Sequence, residues 1–361
     1  MWRAEAGTLK RLKSLQMRRD LGTLTAMTVL HHLTAVPPRL AGTDAVFQDV
    51  AALLQHFDGA IANRYPLRIP TRIWPKQFYG LHDLRHVRQM EAEATVNHIW
   101  FAMLYPFAFL RFLAKPVIYS VTAGLQNYPP PARFMHSLRM IIIDNERDRG
   151  QLDAWGLRNY RMIRPGIDLT RFAEAPVPTG REFVLLAASA PWTRGQIRSK
   201  GWRSLLDVAS RMPDLRLVLL LRGWLGAEIK RMVSKQGLTA RVEIIDGKVD
   251  VGRLMARTHA AVVLAENSKL VKAWPHSLLE AMAVGRPVVV SQAIPMSDYV
   301  AQSQCGVVAA DCSADTVFGA IERLRNDYDC LQVNAATCAR RDFDRAAWVQ
   351  AWRDVYSCQR V

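Results

Sequence analysis

Two short runs hold residue types that could do chemistry. The first is Trp192-Thr-Arg194-Gly-Gln-Ile-Arg198-Ser-Lys200-Gly201, a basic loop between an apolar stretch and a helical pattern. Proteins hold phosphate oxygens with cations and with the free N–H groups of a helix start, and Lys200-Gly201 offers both. A solvated basic loop has the same composition. The second run is Lys272-Ala-Trp-Pro-His-Ser-Leu-Leu-Glu280-Ala-Met-Ala-Val-Gly285-Arg-Pro-Val-Val-Val-Ser291. Ser277 and Glu280 have the spacing of a capping box, which predicts a helix starting just after Ser277. On the box alone, Glu280 is a capping partner and nothing more. Gly285 ends that helix, Pro287 opens a new segment, and Val288-Val289-Val290 reads as a buried strand. His276, beside the capping serine, reads as a surface residue. No carboxylate pair has metal-ligand spacing, and no metal is expected.

These runs sit in a chain of alternating strands and helices. In the second half, strands are expected at 182–189, 215–221, 241–245 and 260–265. Helices are expected at 202–211, 225–237, 250–259 and 314–326. That interval indicates a parallel, doubly wound sheet. The first half reads similarly, with strands at 25–31, 60–63, 97–101, 115–121 and 140–144, the last taken to end this half. Helices are expected at 45–57 and 81–93. Gly42-Thr43-Asp44 closes a loop between the first strand and the first helix, as a tight turn and helix start or as a ligand-facing loop. Ala102 to Phe112 is apolar and aromatic but too short to span a bilayer. It reads as core packing, with a dip into a membrane interface or a lipid-tail site as the other reading. Thr122-Ala123-Gly124 follows a strand at its carboxyl end, where ligands bind in open α/β sheets. A terminal helix is expected at 343–356, with Trp348 and Trp352 one turn apart.

The 361 residues suffice for two ordinary domains, and 50% hydrophobic content supports real cores. A net charge of +16 points to a polyanionic partner: nucleic acid, anionic membrane or a phosphorylated substrate. The cysteines, Cys305, Cys312, Cys330, Cys338 and Cys358, have no zinc or disulfide spacing and read as reduced thiols in a cytosolic protein. No apolar run reaches the length of a membrane span, and no signal peptide is expected. Residues 1–22 form a basic extension with Leu9, Leu12, Leu15 and Leu21 spaced for one helix face. It is either a helix that touches anionic lipid or a solvated terminus.

The run from Lys272 to Ser291 resembles the donor-site signature of the family 4 glycosyltransferases. Arg164-Pro165-Gly166-Ile167-Asp168-Leu169-Thr170-Arg171-Phe172 resembles that family's passage from first to second domain. The likeness covers 160–300 well and 25–145 in outline. It implies a GT-B fold: two Rossmann-like, doubly wound parallel-sheet domains facing a cleft, with a C-terminal helix crossing back to the first domain. The corresponding division is a basic extension (1–22), an acceptor-side domain (23–174), a nucleotide-sugar domain (175–340) and the returning helix (341–361).

The resemblance implies roles as well. Glu280 would hold the ribose of a nucleotide-sugar, and His276, Ser277 and Leu278 would lie beside the donor. Lys200-Gly201, with Arg194 or Arg198, would hold the diphosphate. Ile245 and Lys248 fall in the segment flanking the nucleobase. Gly42, Thr43 and Thr122 fall on the acceptor side, with Thr122 where many members carry a histidine. Lys272 departs from the family, which has a glutamate there near the transferred sugar. A lysine would act as a point charge on phosphate or on an acidic sugar.

The activity implied is sugar transfer from a nucleotide-diphosphate sugar to an acceptor hydroxyl, retaining and metal-independent, with the donor as substrate rather than cofactor. A glycan or lipid-linked acceptor in cell-envelope synthesis fits the basic terminus and the aromatic segment. So does a cytoplasmic location, or a peripheral one on the anionic inner membrane face. The alternatives are an inactive relative that binds a nucleotide or glycan, and a non-catalytic polyanion binder. Dispersed cations and the lack of a nucleic-acid motif speak against nucleic acid.

Overall fold

The computed structural model describes residues 27–34, 44–64, 75–221, 225–247 and 249–357. The expected basic extension, Gly42, Thr43 and Lys248 lie outside the described residues. The chain builds two six-stranded sheets, and every strand pair in both is parallel. The first holds β1 (Val29–Leu33), β2 (Gly59–Asn63), β3 (Val96–Phe101), β4 (Val117–Val121), β5 (Met140–Ile143) and β6 (Tyr160–Met162), ordered β2-β1-β3-β4-β5-β6. The second holds β7 (Phe183–Ala187), β8 (Leu215–Leu221), β9 (Val242–Asp246), β10 (Ala260–Val263), β11 (Val288–Ser291) and β12 (Gly306–Ala309), ordered β12-β11-β10-β7-β8-β9.

Strands covered on both faces must be apolar on both faces, and central strands such as β10 and β11 are buried throughout. Separate apolar clusters cover the two faces of the second sheet. The strand order reverses between β1 and β3 and between β7 and β10. Open α/β sheets bind ligands at the carboxyl ends beside such switch points.

The last helix, Arg345–Ser357, lies on the first sheet. Trp348, Val349, Trp352, Val355 and Tyr356 share a core with Val29, Ile118 and Ile142. His98 on β3 is buried between this helix and β4, with Nδ1 2.7 Å from Tyr356 Oη and Nε2 2.7 Å from Ser120 Oγ. Burial pushes His98 well below the usual histidine range, so it sits there as a neutral ring. The two chain crossings between domains run side by side: Ile167 N–H donates to Phe343 O at 2.7 Å, and Arg345 N–H to Ile167 O at 3.2 Å.

Several expected elements shift. The first strand is seen at Val29–Leu33, later in the chain than 25–31. β5 does not end the first sheet, because the half-buried Tyr160–Met162 adds an edge strand too short to show a period. The basic run at 192–201 is no plain loop: Arg194–Ser199 is helical, with Thr193 Oγ1 accepting from Gln196 N–H. The capping box does not form. Pro275, with φ −63°, stands at the N-cap, so the helix His276–Ala283 begins ahead of Ser277 without a side-chain cap. Ala102–Phe112 contributes only the 3-10 turn Ala108–Phe112. Its Leu104, Phe107 and Phe109 pack in the first domain's core. Among the described residues no helix is long and apolar enough to cross a membrane.

Gly166 is where the crossing chain meets the last helix. A Cβ there would fall 2.5 Å from Trp348 Cβ and 2.9 Å from Arg345 Cα. Gly166→Ala is expected to cost about 1–3 kcal/mol by overpacking, measured as a lower urea midpoint. The control is Gly150→Ala, in the helix Glu146–Ala154 with nothing within 4 Å, which should be neutral or stabilising.

Candidate functional site

The carboxyl ends of the two sheets face each other across a cleft of about 570 Å3. Leu33, Phe101 and Thr122 line it from the first sheet, and Ala188 and Leu220 from the second. Ser277 and Glu280, three residues apart on one helix, present the same face to it. The neighbouring Leu278 and Leu279 are fully buried on the opposite, core-facing side.

Lys200 enters the cleft wall from the turn between two helices. It is 5% exposed, and its ammonium donates to Ala190 O at 3.0 Å and Ser189 Oγ at 3.4 Å. Among the described residues no carboxylate lies within ion-pair distance of it. Burial pulls its pKa down to about 8. Gly201 makes the placement possible. Its φ of +65° is left-handed, and a Cβ would fall 2.5 Å from Leu264 Cδ1.

Lys272 and His276 line the cleft on one side and a smaller cavity of about 40 Å3 behind it. Lys272 Nζ donates to Asp49 Oδ2 at 3.0 Å, and His276 Nε2 lies 3.4 Å from the same oxygen. Asp49 belongs to the first-domain helix Ala45–Leu53, so the pair bridges the two domains. His276 is no surface residue. Burial lowers it to about 4, an effect that Asp49 only partly offsets, and it is neutral near pH 7. Asp144, which shares the small cavity, is raised to about 7 by burial.

The expected residues separate. Lys200, Lys272, His276, Ser277, Glu280 and Thr122 come together at the cleft. Arg194 and Arg198 do not line it. They point outward, Arg194 Nε to Glu228 at 2.9 Å and Arg198 Nε 3.7 Å from Glu266. Ile245 packs against the core and pairs with cleft-lining Leu220 across the sheet, and Leu278 is core. Gly201 shapes the wall without lining it. Arg171 and Lys269 are cleft-lining cations that the motifs did not single out. Arg171 belongs to the crossing run, where Asp168 Oδ1 accepts from Thr170 and Arg171 N–H and turns the chain. Nothing at the sequence level marked Asp49, which is a single acid on a helix.

Residues 194–341 match a family model described as "Glycosyl transferases group 1". No curated protein sequence matches the chain. Among solved structures, HepE from Anabaena in complex with UDP-glucose is 15% identical with a TM-score of 0.65, over 92% of this chain and 99% of that one. Sucrose-phosphate synthase from Thermosynechococcus elongatus is 16% identical with a TM-score of 0.69, over 92% and 100%. WaaG, a glycosyltransferase involved in lipopolysaccharide biosynthesis, is 13% identical with a TM-score of 0.65, over 92% and 100%. These structures share the two-domain fold with this chain.

The glycine at the Lys200 turn gives a direct check on the site. Gly201→Ala combines a left-handed φ with the Leu264 overlap. It is expected to cost about 2 kcal/mol or more, read as a urea-midpoint shift. Gly195→Ala, whose Cβ would meet only Thr193 Oγ1 at 3.9 Å, should change little.

Proposed function

We propose, for this family 4 (group 1) glycosyltransferase of GT-B fold, which takes its sugar from a nucleotide-sugar, that it delivers the sugar to an acceptor hydroxyl on a glycan or lipid-linked carrier. In this reading residues 175–340 hold the donor, residues 23–174 hold the acceptor, and the anomeric configuration is retained. The observation that carries it is Lys200: a buried cation in the cleft wall with no counter-charge among the described residues. Burying a charge without a partner is costly, and an arriving diphosphate supplies that partner.

Glycosidic cleavage leaves negative charge on the departing diphosphate. An ammonium already in place, partly stripped of water, stabilises that charge without having to reorganise. Lys200 takes this role in place of a metal, with Arg171 and Lys269 lining the same cleft. Glu280, on the cleft face of its helix, accepts from ribose hydroxyls. The unfilled N-cap at Pro275 leaves the first N–H groups of that helix without a side-chain acceptor, and Ser277 sits among them. Synthesis of envelope or surface glycans is the setting proposed. WaaG supports it by likeness of fold, and the excess of cations supports an anionic membrane face nearby.

A thermal-shift panel of nucleoside diphosphates and nucleotide-sugars tests the reading. A ligand at a hundred times its Kd should stabilise the protein by about 2.7 kcal/mol, and Glu280→Ala should abolish most of the shift. No shift with any nucleotide would remove the donor site. The pH dependence tests Lys200 itself. Its pKa is near 8 in the free protein and rises when a diphosphate binds, so binding takes up a proton once the pH passes 8. Affinity should therefore fall about fivefold between pH 8 and pH 9, and Lys200→Met should bind more weakly with a flat profile there.

A further inference from the structure

Residues 272–274 are fastened to the first domain one after another. Lys272 Nζ donates to Asp49 Oδ2 at 3.0 Å, Ala273 N–H to Thr122 O at 3.3 Å, and Trp274 Nε1 to Asp144 O at 2.7 Å. The acceptors come from three different elements: the helix Ala45–Leu53, the end of β4 and the end of β5. Lys272 thus stands at the seam between the domains and still lines the cleft. If Lys200 holds the diphosphate from the second domain, the sugar is the part of the donor that must extend toward the first domain. Its path leads to that seam.

Lys200 and Lys272 differ in electrostatics. Among the described residues Lys200 has no carboxylate within ion-pair distance. Lys272 has Asp49, whose side chain is only 10% exposed, and it also lies in the field of Asp144. An ion pair so placed is poorly screened by water and presents little net charge to the cleft. An ammonium has three N–H donors. One goes to Asp49, His276 Nε2 stands 3.5 Å away, and Lys272 keeps 21% of its side chain exposed.

We propose that Asp49 is a positioning and specificity residue: it holds Lys272 as half of a neutral ion pair where the sugar enters, leaves an N–H for sugar hydroxyls, and restricts the donor to sugars without a charge. The proposal rests on the donor-site reading above. Asp49 makes no contact with substrate. It acts by cancelling the charge that would otherwise attract a carboxylated or phosphorylated sugar.

The test compares the nucleoside diphosphate that the wild-type protein binds in the thermal-shift panel with its glucose and glucuronate conjugates, by calorimetric Kd. The wild-type protein should favour the glucose conjugate by about tenfold or more. Asp49→Asn should keep the diphosphate Kd within about twofold while reducing that preference about tenfold. Asp49→Glu should restore it. The charge swap Asp49→Lys with Lys272→Glu should restore a preference between those of its single variants, with glucose disfavoured in Asp49→Lys and favoured most in Lys272→Glu, and it serves as the test if Asp49→Asn does not fold. A wild-type preference for glucuronate overturns the proposal, as does an unchanged preference in Asp49→Asn or a swap that favours glucose no more than Asp49→Lys alone. Failure of every nucleoside diphosphate to bind the wild-type protein overturns the donor-site reading instead, and this proposal with it.

Discussion

The apolar face of the last helix, seated on the first sheet, holds the two domains in one arrangement. Trp348, Trp352 and Tyr356 are buried there, and Trp352 stacks on Tyr356 at a ring separation of 5.4 Å. The chain therefore crosses between domains twice, and the crossings are hydrogen-bonded to each other at Ile167, Phe343 and Arg345. A single crossing would be a hinge with wide freedom. A paired crossing, closed over Gly166 against Trp348, confines the domains to motions that keep both sheet ends facing one cleft.

Within that frame, electrostatics separates the two lysines. Both line the cleft; burial draws the pKa of Lys200 down to about 8, while Lys272 is held in an ion pair. The difference is the partner. Asp49 reaches Lys272 across the domain boundary, whereas Lys200 meets only the neutral Ala190 O and Ser189 Oγ and, among the described residues, no carboxylate. One cleft thus holds a cation poised for an anion beside a cation already answered.

Much of the fold could be read from local pattern. Trp202–Arg211, Leu215–Leu221 and Ala314–Asn326 appear at the residues their periodicity predicts, because amphipathic helices and continuous apolar strands carry their burial in their own spacing. β6 and the one-turn helix Arg194–Ser199 could not be read, since three to six residues show no period. The capping box misled for a different reason. Ser277 and Glu280 have the right spacing, but Pro275 starts the helix earlier and turns both side chains to the cleft.

The sequence by itself determined the layer architecture, the Lys200-Gly201 pair at a helix start, and Glu280 on a helix preceded by the loop that holds Lys272. All of these depend on neighbours within a few residues along the chain. Only the tertiary structure decided which charges meet. Arg194 and Arg198 turn to Glu228 and Glu266, Arg171 comes into the cleft wall, and Lys272 finds Asp49 more than two hundred positions away. Coulomb energy falls with distance in space and takes no account of distance along the chain, so charge partners follow from packing and leave no periodic mark in the sequence.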